Sequence, residues 1–279
     1  MYHRLARRGR YRWWKPIVEV VVFLVLVVAL WVPAIPALDD AVGPAENGAP
    51  GIIKLGLTIA CAIPASILAA RIMGRPWGAL LSIAGRLRGR WLAICAAVAL
   101  GFVVLSATIA VAVEQGPVGG GWVGWDQFLP LAITVVLVIP LQASAEEFAF
   151  RGTLMQVIGA WVSSPCVPLA ITSVTFGLVH ALPLEGFVAI TTFGVVAGWL
   201  TIRTGGLEAA IALHVMNNVG FFLLDAATGR GDRWVTELNT DITWAAAAFD
   251  VMLLLLYGAI IAKLYARHSK RHTVPRHTS

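Results

Sequence analysis

The stretch "SAEEFAFRG", residues 144–152, closes a long apolar run that begins near Phe128. It carries three ionisable side chains, Glu146, Glu147 and Arg151, where the chain otherwise reads as a lipid-facing helix. An ionisable residue at mid-membrane costs about 2.5–3.5 kcal/mol on insertion scales. Three of them therefore indicate either a structural ion pair or a functional site, if this run lies in a membrane.

The composition of the chain is that of a membrane protein. Of its 279 residues 58% are hydrophobic and only 13% are charged, against about 25% charged residues in soluble domains. Eight apolar runs approach the roughly 17–25 residues that cross a bilayer. They are 17–37, 52–70, 91–113, 128–150, 167–182, 187–203, 207–225 and 243–265. The sequence thus predicts an all-α polytopic bundle of about eight transmembrane helices.

The chain divides into four parts around these runs. The first run has an apolar part longer than the roughly 7–15 residues of a signal peptide, so we expect it to stay as the first membrane helix. The predicted parts are a cytoplasmic basic segment (1–16), transmembrane helices 1–3 (17–127), a core of transmembrane helices 4–7 (128–225), and the last helix with a basic cytoplasmic tail (226–279).

Basic residues cluster in three segments and predict the orientation. Residues 1–16, 71–90 and 263–279 hold six, five and five of the 21 Lys and Arg residues. With eight spans these segments lie on one side, which the positive-inside rule makes cytoplasmic. Both termini are therefore expected in the cytoplasm, and the basic excess is expected to contact the lipid bilayer and no nucleic acid. The excess of 17 Arg over 4 Lys hints at a GC-rich bacterial genome, hence a bacterial cytoplasmic membrane.

Helical geometry separates the two adjacent carboxylates. Glu147 and Arg151 are spaced i,i+4, lie on one helical face and can pair. Glu146 is rotated about 100° from Glu147 and about 140° from Arg151. The local spacing therefore gives Glu147 a partner and leaves Glu146 without one. A purely structural ion pair would explain Glu147 and Arg151, but not the surplus Glu146.

Two histidines lie in predicted membrane spans, and each has an informative neighbour at i±4. His214 and Asn218 present an imidazole and an amide on one helical face, and Phe176 gives His180 an apolar wall. The four remaining histidines lie in the tails, namely His3, His268, His272 and His277. A lone buried histidine is usually structural. Two on separate spans, in a chain with an unpaired glutamate, favour a converging site.

The set Glu146, His180, His214 and Asn218 suits hydrolysis of an amide bond. A carboxylate can act as a general base on water, and an amide and an imidazole can donate to a developing oxyanion. Two imidazoles and a carboxylate are also a zinc ligand set with an open position. From the residues alone, a Zn²⁺-bound water and a metal-free water both remain open.

Three short motifs occur in this order on three membrane spans. They are EExxxR (Glu146, Glu147, Arg151), FxxxH (Phe176, His180) and HxxxN (His214, Asn218). Together they resemble the CPBP family, which comprises CAAX prenyl proteases and bacteriocin-processing enzymes and is also called the Abi family of intramembrane metalloproteases. The resemblance covers roughly residues 128–225, and the eight-span layout is similar too.

The resemblance implies an endopeptidase that acts inside the membrane on a membrane-anchored protein or peptide. Glu146 would activate water alongside His180, and the HxxxN pair, His214 and Asn218, would bind metal or stabilise the oxyanion. Glu147 with its arginine would brace the site. Some family members are associated with immunity to self-made bacteriocins, and a prenylated substrate is not expected in a bacterium.

Two other classes of function stay open at this point. A proton-coupled transporter also needs intramembrane Glu and His, and Asp225 and Asp250 would extend such a relay. A catalytically silent relative would act as an immunity or binding protein. A hydrolase requires its residues to converge, whereas a relay strings them along a path. The GxGD match at 229–232 lies in a polar loop, and HExxH and GxSG motifs are absent from the sequence.

Two structural expectations follow from the predicted spans. Glu146 and His214 would lie within about 10 Å of the cytoplasmic side, and His180 nearer 20 Å, at 1.5 Å per residue. The fifth helix must therefore start outside the hydrocarbon, tilt, or break near "SSPCVP" for the three to meet. The other buried acids, Glu19 and Asp250, are expected to cap or pair within the bundle.

Overall fold

A computed structural model of the protein describes residues 1–7, 11–43, 48–113, 121–229 and 242–273. Within these ranges every regular element is a helix, apart from one isolated antiparallel bridge between Ser82 and Gly206. Seven helical segments are long and apolar enough to cross a membrane, and one further apolar helix is shorter. The predicted polytopic helical bundle is therefore confirmed, and the chain is an integral membrane protein.

The helices follow the chain with short connections. A 3-10 helix at Tyr2–Arg7 comes first, and a π-helix at Phe148–Leu154 joins two of the α-helices. The α-helices are α1 (Lys15–Val42), α2 (Gly48–Ala60), α3 (Ala62–Ile72), α4 (Gly78–Leu81), α5 (Gly89–Val113), α6 (Trp125–Glu147), α7 (Met155–Trp161), α8 (Cys166–Val179), α9 (Leu184–Thr204), α10 (Glu208–Thr228) and α11 (Trp244–Thr273).

The fourth and fifth predicted spans end at different places from those expected. The fourth continues through the π-helix to Trp161, as one segment of 37 residues. The fifth is α8, with only 14 residues, fewer than the roughly 17 that cross a bilayer. The residues after Arg151 remain helix-compatible until Ser164, whose α conformation is disfavoured by the following Pro165. The chain therefore turns there, and α8 begins at the next residue.

Helix α10 is central in the packing around the candidate site. It packs against α5, α6 and α9, while the π-helix packs against α3, α4 and α8. The main apolar core joins these helices and includes Phe176, Phe193, Leu213 and Tyr257. This arrangement brings the last turn of α6, the end of α8 and the middle of α10 to one place.

The N-terminal 3-10 helix is packed into the bundle. Tyr2 and His3 are fully buried, and the Tyr2 hydroxyl donates to the carbonyl of Leu80. The His3 ring contacts the Ser163 carbonyl, with Nε2 3.1 Å from the oxygen. A Cβ at Gly159 would lie 1.9 Å from the His3 carbonyl oxygen, so only glycine allows this close approach. Part of the predicted basic segment 1–16 is therefore a packed element.

An arginine from the loop before α5 fixes the start of α10. Arg88 donates through Nε to Glu208 Oε1 at 2.8 Å and through Nη2 to Oε2 at 2.6 Å. Its backbone N–H also donates to Oε1, at 2.8 Å, and its Nη1 to the Thr204 carbonyl, at 2.9 Å. Beside this clamp, the bridge between Ser82 and Gly206 ties the same loop to the α9–α10 turn.

Glu19 and Asp250, the two other acids expected to be buried, behave differently from each other, because Glu19 is buried and Asp250 is exposed. Glu19 pairs with Arg75, with Oε1 3.0 Å from Nη2, and both side chains are buried. Arg75 also donates to Gln156, at 3.2 Å. The pairing expected for Glu19 is confirmed. The pairing expected for Asp250 is wrong within the described part of the chain, where it makes no hydrogen bond or ion pair.

Candidate active site

Three side chains from three helices converge on one carboxylate oxygen. Glu146 Oε2 lies 3.7 Å from His214 Nε2 and 4.0 Å from His180 Nε2. The expected difference in depth is absent, because the helix that carries Glu146 continues for 15 residues to Trp161 and α8 is short. His180 is the residue that caps the C-terminus of α8. The break near "SSPCVP" was one of the three ways in which the sequence allowed the site to form.

The second ring nitrogen of each histidine is engaged by an acceptor. His214 Nδ1 lies 2.8 Å from Glu147 Oε1, and His180 Nδ1 lies 2.7 Å from the Phe176 carbonyl oxygen. A carbonyl and a carboxylate only accept, so Nδ1–H is the donor in each ring. In the neutral rings, Nε2 therefore carries a lone pair, and both lone pairs are on the side of Glu146.

Only one carboxylate oxygen of Glu146 accepts a hydrogen bond from a described residue. Its Oε1 accepts a hydrogen bond from the Gln142 amide, one helical turn earlier, and its Oε2 is buried without a hydrogen-bond partner among the described residues. The expectation that Glu146 has no cationic partner on its own helix is confirmed. Gln142 itself was missed, although a glutamine at i−4 inside an apolar run is a readable signal.

Asn218 contacts the site through Gln142. Its Nδ2 donates to Gln142 Oε1 at 3.2 Å, and Asn217 Nδ2 donates to Asn218 Oδ1 at 3.3 Å. The three amides thus form a chain in which every donor points toward Glu146. The predicted face of α10 does bring His214 and Asn218 to α6, but the amide is bonded to a glutamine that sequence reasoning did not include.

The predicted ion pair of Glu147 and Arg151 is confirmed. Arg151 Nη1 lies 2.8 Å from Glu147 Oε1, and both side chains are fully buried. Arg151 also donates through Nη2 to the Gly194 carbonyl at 3.3 Å. The π-helix that contains Arg151 begins directly after Glu147, and single π-turns in α-helices are frequent at functional sites. Glu147 thus links the arginine to His214.

Phe176 forms the wall that its spacing predicted. Its ring centroid lies 4.6 Å from that of His180 and 5.8 Å from that of His214. The Arg151 guanidinium carbon lies 4.5 Å above the same ring, a favourable cation–π distance. Phe193 stacks on Phe176, with ring centroids 5.7 Å apart. The aromatic group fixes the relative positions of the two imidazoles.

The site is enclosed but reachable from the His180 side. The side chains of His214, Glu146 and His180 are 4%, 13% and 30% exposed. The Glu147–Arg151 pair behind them is inaccessible. His180 thus forms the accessible edge of the site, whereas the bracing pair is shielded.

The donor types match a zinc site, and the geometry is looser than in a formed one. Glu146 offers an unpartnered oxygen, and His180 and His214 offer Nε2 lone pairs. Zinc bonds are about 2.0–2.2 Å long. Among the described residues, no three His, Cys, Asp or Glu side chains stand as a ready metal cluster. The three cysteines are free and belong to other parts of the fold.

Part of this chain is similar to a known protein family. Residues 125–220 match the Rce1-like family of type II CAAX prenyl endopeptidases. A relative, the uncharacterized protein YyaK of Bacillus subtilis (strain 168), is 32% identical over 101 residues, which are 34% of this chain and 34% of the relative. The alignment covers about a third of each chain. The matched residues contain all three motifs, so the resemblance to the CPBP family is confirmed over this segment.

Proposed function

We propose that this chain is an intramembrane endopeptidase whose catalytic core is the Rce1-like segment, residues 125–220. One observation carries the proposal. Glu146 Oε2 is buried, accepts no hydrogen bond among the described residues, and lies 3.7 and 4.0 Å from two imidazole nitrogens. A water molecule placed among these acceptors would donate one proton to Glu146 Oε2 and the other to one of the two imidazole nitrogens, and its oxygen lone pairs would stay exposed.

In the proposed reaction Glu146 is the general base. It takes a proton from water while the water oxygen attacks the carbonyl carbon of a peptide bond. The same proton then passes to the leaving nitrogen as the C–N bond breaks, which yields a carboxylic acid and an amine. His180 or His214 orients the water by accepting its second O–H through Nε2. As neutral rings they accept rather than donate, so oxyanion stabilisation by histidine would require the imidazolium form.

Zn²⁺ is the cofactor that this donor set would take. Glu146, His180 and His214 would hold it, with Glu147 and the Phe176 carbonyl fixing the two rings through Nδ1. When bound, the ion would supply Lewis acidity that lowers the pKa of a coordinated water to about 7. In the metal-free alternative the carboxylate alone activates the water.

The convergence of the three residues favours a hydrolase over a transporter. A relay would place the groups along a path, but Glu146, His180 and His214 meet at one oxygen. The third class, a silent immunity or binding protein, would keep the same fold and lack turnover. Activity measurements separate these classes.

The proposed substrate is a membrane-anchored protein or peptide, because the site lies in a helical segment long enough to span the bilayer. The proposed location is a bacterial cytoplasmic membrane with both termini in the cytoplasm, on the distribution of Lys and Arg. Reporter fusions at the two termini would test this orientation.

The test combines a peptidase assay with metal analysis. Purified wild type and His180→Ala, in detergent, are incubated with a library of membrane-anchored peptides, with and without a chelator. Cleavage lost in the variant and in chelator, with bound zinc in the wild type, supports the metal form. Cleavage lost only in the variant, with no bound metal, supports the glutamate form. No cleavage by the wild type overturns the proposal and directs attention to proton-flux and binding assays.

A further inference from the structure

A second cavity lies on the other side of α10 from Gln142. It has a volume of about 250 Å³ and is bounded by α5, α9, α10 and α11. Most of its wall is apolar, and Ser106, Asn217 and Asp250 contribute polar groups. Phe193 lines it as well and lies 4.9 Å, ring to ring, from His214. The cavity is thus next to the candidate active site and separated from it by an aromatic ring.

Asp250 differs from those acids of the bundle that have a cationic partner. Three buried glutamates each pair with an arginine, and these pairs are Glu19–Arg75, Glu147–Arg151 and Glu208–Arg88. Asp250 makes no hydrogen bond or ion pair with any described residue. Acids within membrane spans are costly and normally pair with a cation or line a pathway. Among the described residues, the carboxylate in this cavity therefore lacks the counter-charge that the other three have.

The aromatic contacts between α5 and α11 lie toward the C-terminal end of α11, beyond Asp250. At that end Trp91 of α5 lies 5.4 Å from Tyr265 of α11, and Phe102 lies 6.2 Å from Tyr257, ring to ring. The cavity is lined by Ala99, Phe102 and Ser106 of α5 and extends along α11 from Tyr257 toward the start of that helix. Asp250 lies six residues after the first residue of α11, or about 9 Å along the axis. Its carboxylate is thus inside the predicted span and solvent-accessible in the isolated chain.

The size and chemistry of the cavity select its occupant. Its volume is below the roughly 300–1,000 Å³ of small-molecule sites, so it suits one long side chain. The apolar wall can hold a methylene stem, and the carboxylate can pair with a cationic end. A Lys or Arg in a membrane helix is itself costly unless it finds such a partner. An ion pair between this side chain and Asp250 would lower the free-energy cost of burying each of the two charges in the membrane.

We propose that this cavity is an intramembrane docking site for a transmembrane segment of another protein that carries a lysine or arginine at the depth of Asp250. The segment lies against α5 and α11, and its cationic side chain enters the cavity between Ser106 and Asp250. This association does not depend on catalysis, so it can be measured in a chain that cannot cleave.

The experiment measures association in lipid vesicles by energy transfer. The full chain carrying Glu146→Gln is labelled and mixed with a single-span Leu/Ala peptide that has one lysine, placed at successive depths. We expect at least tenfold stronger association than with the all-Leu/Ala peptide at one depth. Asp250→Asn should abolish that preference, and Asp126→Asn, the same change at the start of α6, should retain it.

Charge reversal completes the design. The Asp250→Lys chain should no longer prefer the lysine peptide, and it should associate instead with a peptide that has a glutamate at the same depth. Equal association of the lysine and Leu/Ala peptides at every depth would overturn the proposal, as would an Asp250→Asn chain that keeps the preference. The Asn variant is nearly isosteric, so the proposal remains testable if Asp250→Lys does not fold. Loss of peptidase activity in the wild type would leave these results unaffected.

Discussion

Glu208 and Glu146 are two carboxylates at the ends of neighbouring helices, and their surroundings are opposite. Glu208 receives three hydrogen bonds from Arg88, two from the guanidinium and one from the backbone N–H. Glu146 receives one, from Gln142, and its other oxygen is near two nitrogens that also accept. The first is a closed structural clamp. The second has room for a molecule that donates, as water does, or for a cation.

The largest effect is expected for Glu146→Gln. The amide has the shape of the carboxylate but cannot take a proton, so cleavage should fall by about 10²–10⁴, with the melting temperature unchanged. Glu208→Gln is the matched variant and should lower the melting temperature while keeping most of the activity. Cleavage rates of a membrane-anchored peptide and thermal unfolding check both. If the Glu146→Gln variant is active, Glu146 is not the general base, and the distinction between a catalytic Glu146 and a structural Glu208 is wrong.

The next effect is on stability, for Arg151→Leu. It leaves Glu147 buried without its cation, which costs about 3–5 kcal/mol in comparable pairs. Arg203→Leu, on the exposed face of α9, is the control and should cost little. Denaturant unfolding of the two variants gives the difference. Equal stability of the two would mean that the bracing role of Arg151 is wrong.

A smaller loss is expected for Arg88→Met, because the Arg88 side chain is 23% exposed and water can partly replace it. A hydrogen bond to a charged group contributes about 1.5–3 kcal/mol. Glu208 keeps its bond from the backbone N–H of residue 88, and water replaces part of the rest, so we expect a total loss equal to about one such bond. Arg86→Met, an exposed neighbour in the same loop, should leave the free energy of unfolding unchanged. A loss as large as that of Arg151→Leu would show that the clamp is no weaker than the buried pair.

Gln142→Leu should affect the reaction more than the fold. Without the amide, Oε1 of Glu146 is free and the carboxylate can rotate away from the histidines. The loss of one such hydrogen bond is worth about 1 kcal/mol, or roughly a fivefold lower kcat, with KM unchanged. Gln142→Glu should also lower kcat, because it places a second acid beside Glu146. A parallel fall in melting temperature and no change in kcat would assign Gln142 a purely structural role.

The smallest effect concerns pH and the N-terminal helix. Burial lowers the pKa of His3 below its ordinary value of 6.5. The unfolded chain then binds more protons below pH 6.5, so the stability is full above that pH and declines as the pH falls further. Thermal unfolding between pH 7.5 and 5 would measure the slope. The His3→Gln variant should show a weaker dependence of stability on pH. If the dependence is unchanged in that variant, another titrating group is its cause.

The local spacing of residues predicted part of this site, but it could not predict contacts between residues far apart in the sequence. Glu147 with Arg151, and Phe176 with His180, are one helical turn apart, so the helix period alone brings them together. Gln142 and Asn218 meet across 76 residues of chain, which no local pattern encodes. The length of the helix beyond Arg151 was missed because the polar cluster was read as the end of a span. The span actually ends at Trp161, before the turn that leads to Pro165.

The packed N-terminal helix has a consequence for biosynthesis. Tyr2 and His3 leave the ribosome early, but their partners Leu80 and Ser163 lie 78 and 160 residues further along the chain. The pocket that receives these two residues is therefore incomplete until α7 and the following turn have been made. The early segment must wait in the aqueous phase or on the lipid surface while most of the helices insert. Docking of Tyr2–Arg7 therefore follows the synthesis of α7, and Tyr2 then packs in the apolar cluster that contains Phe148.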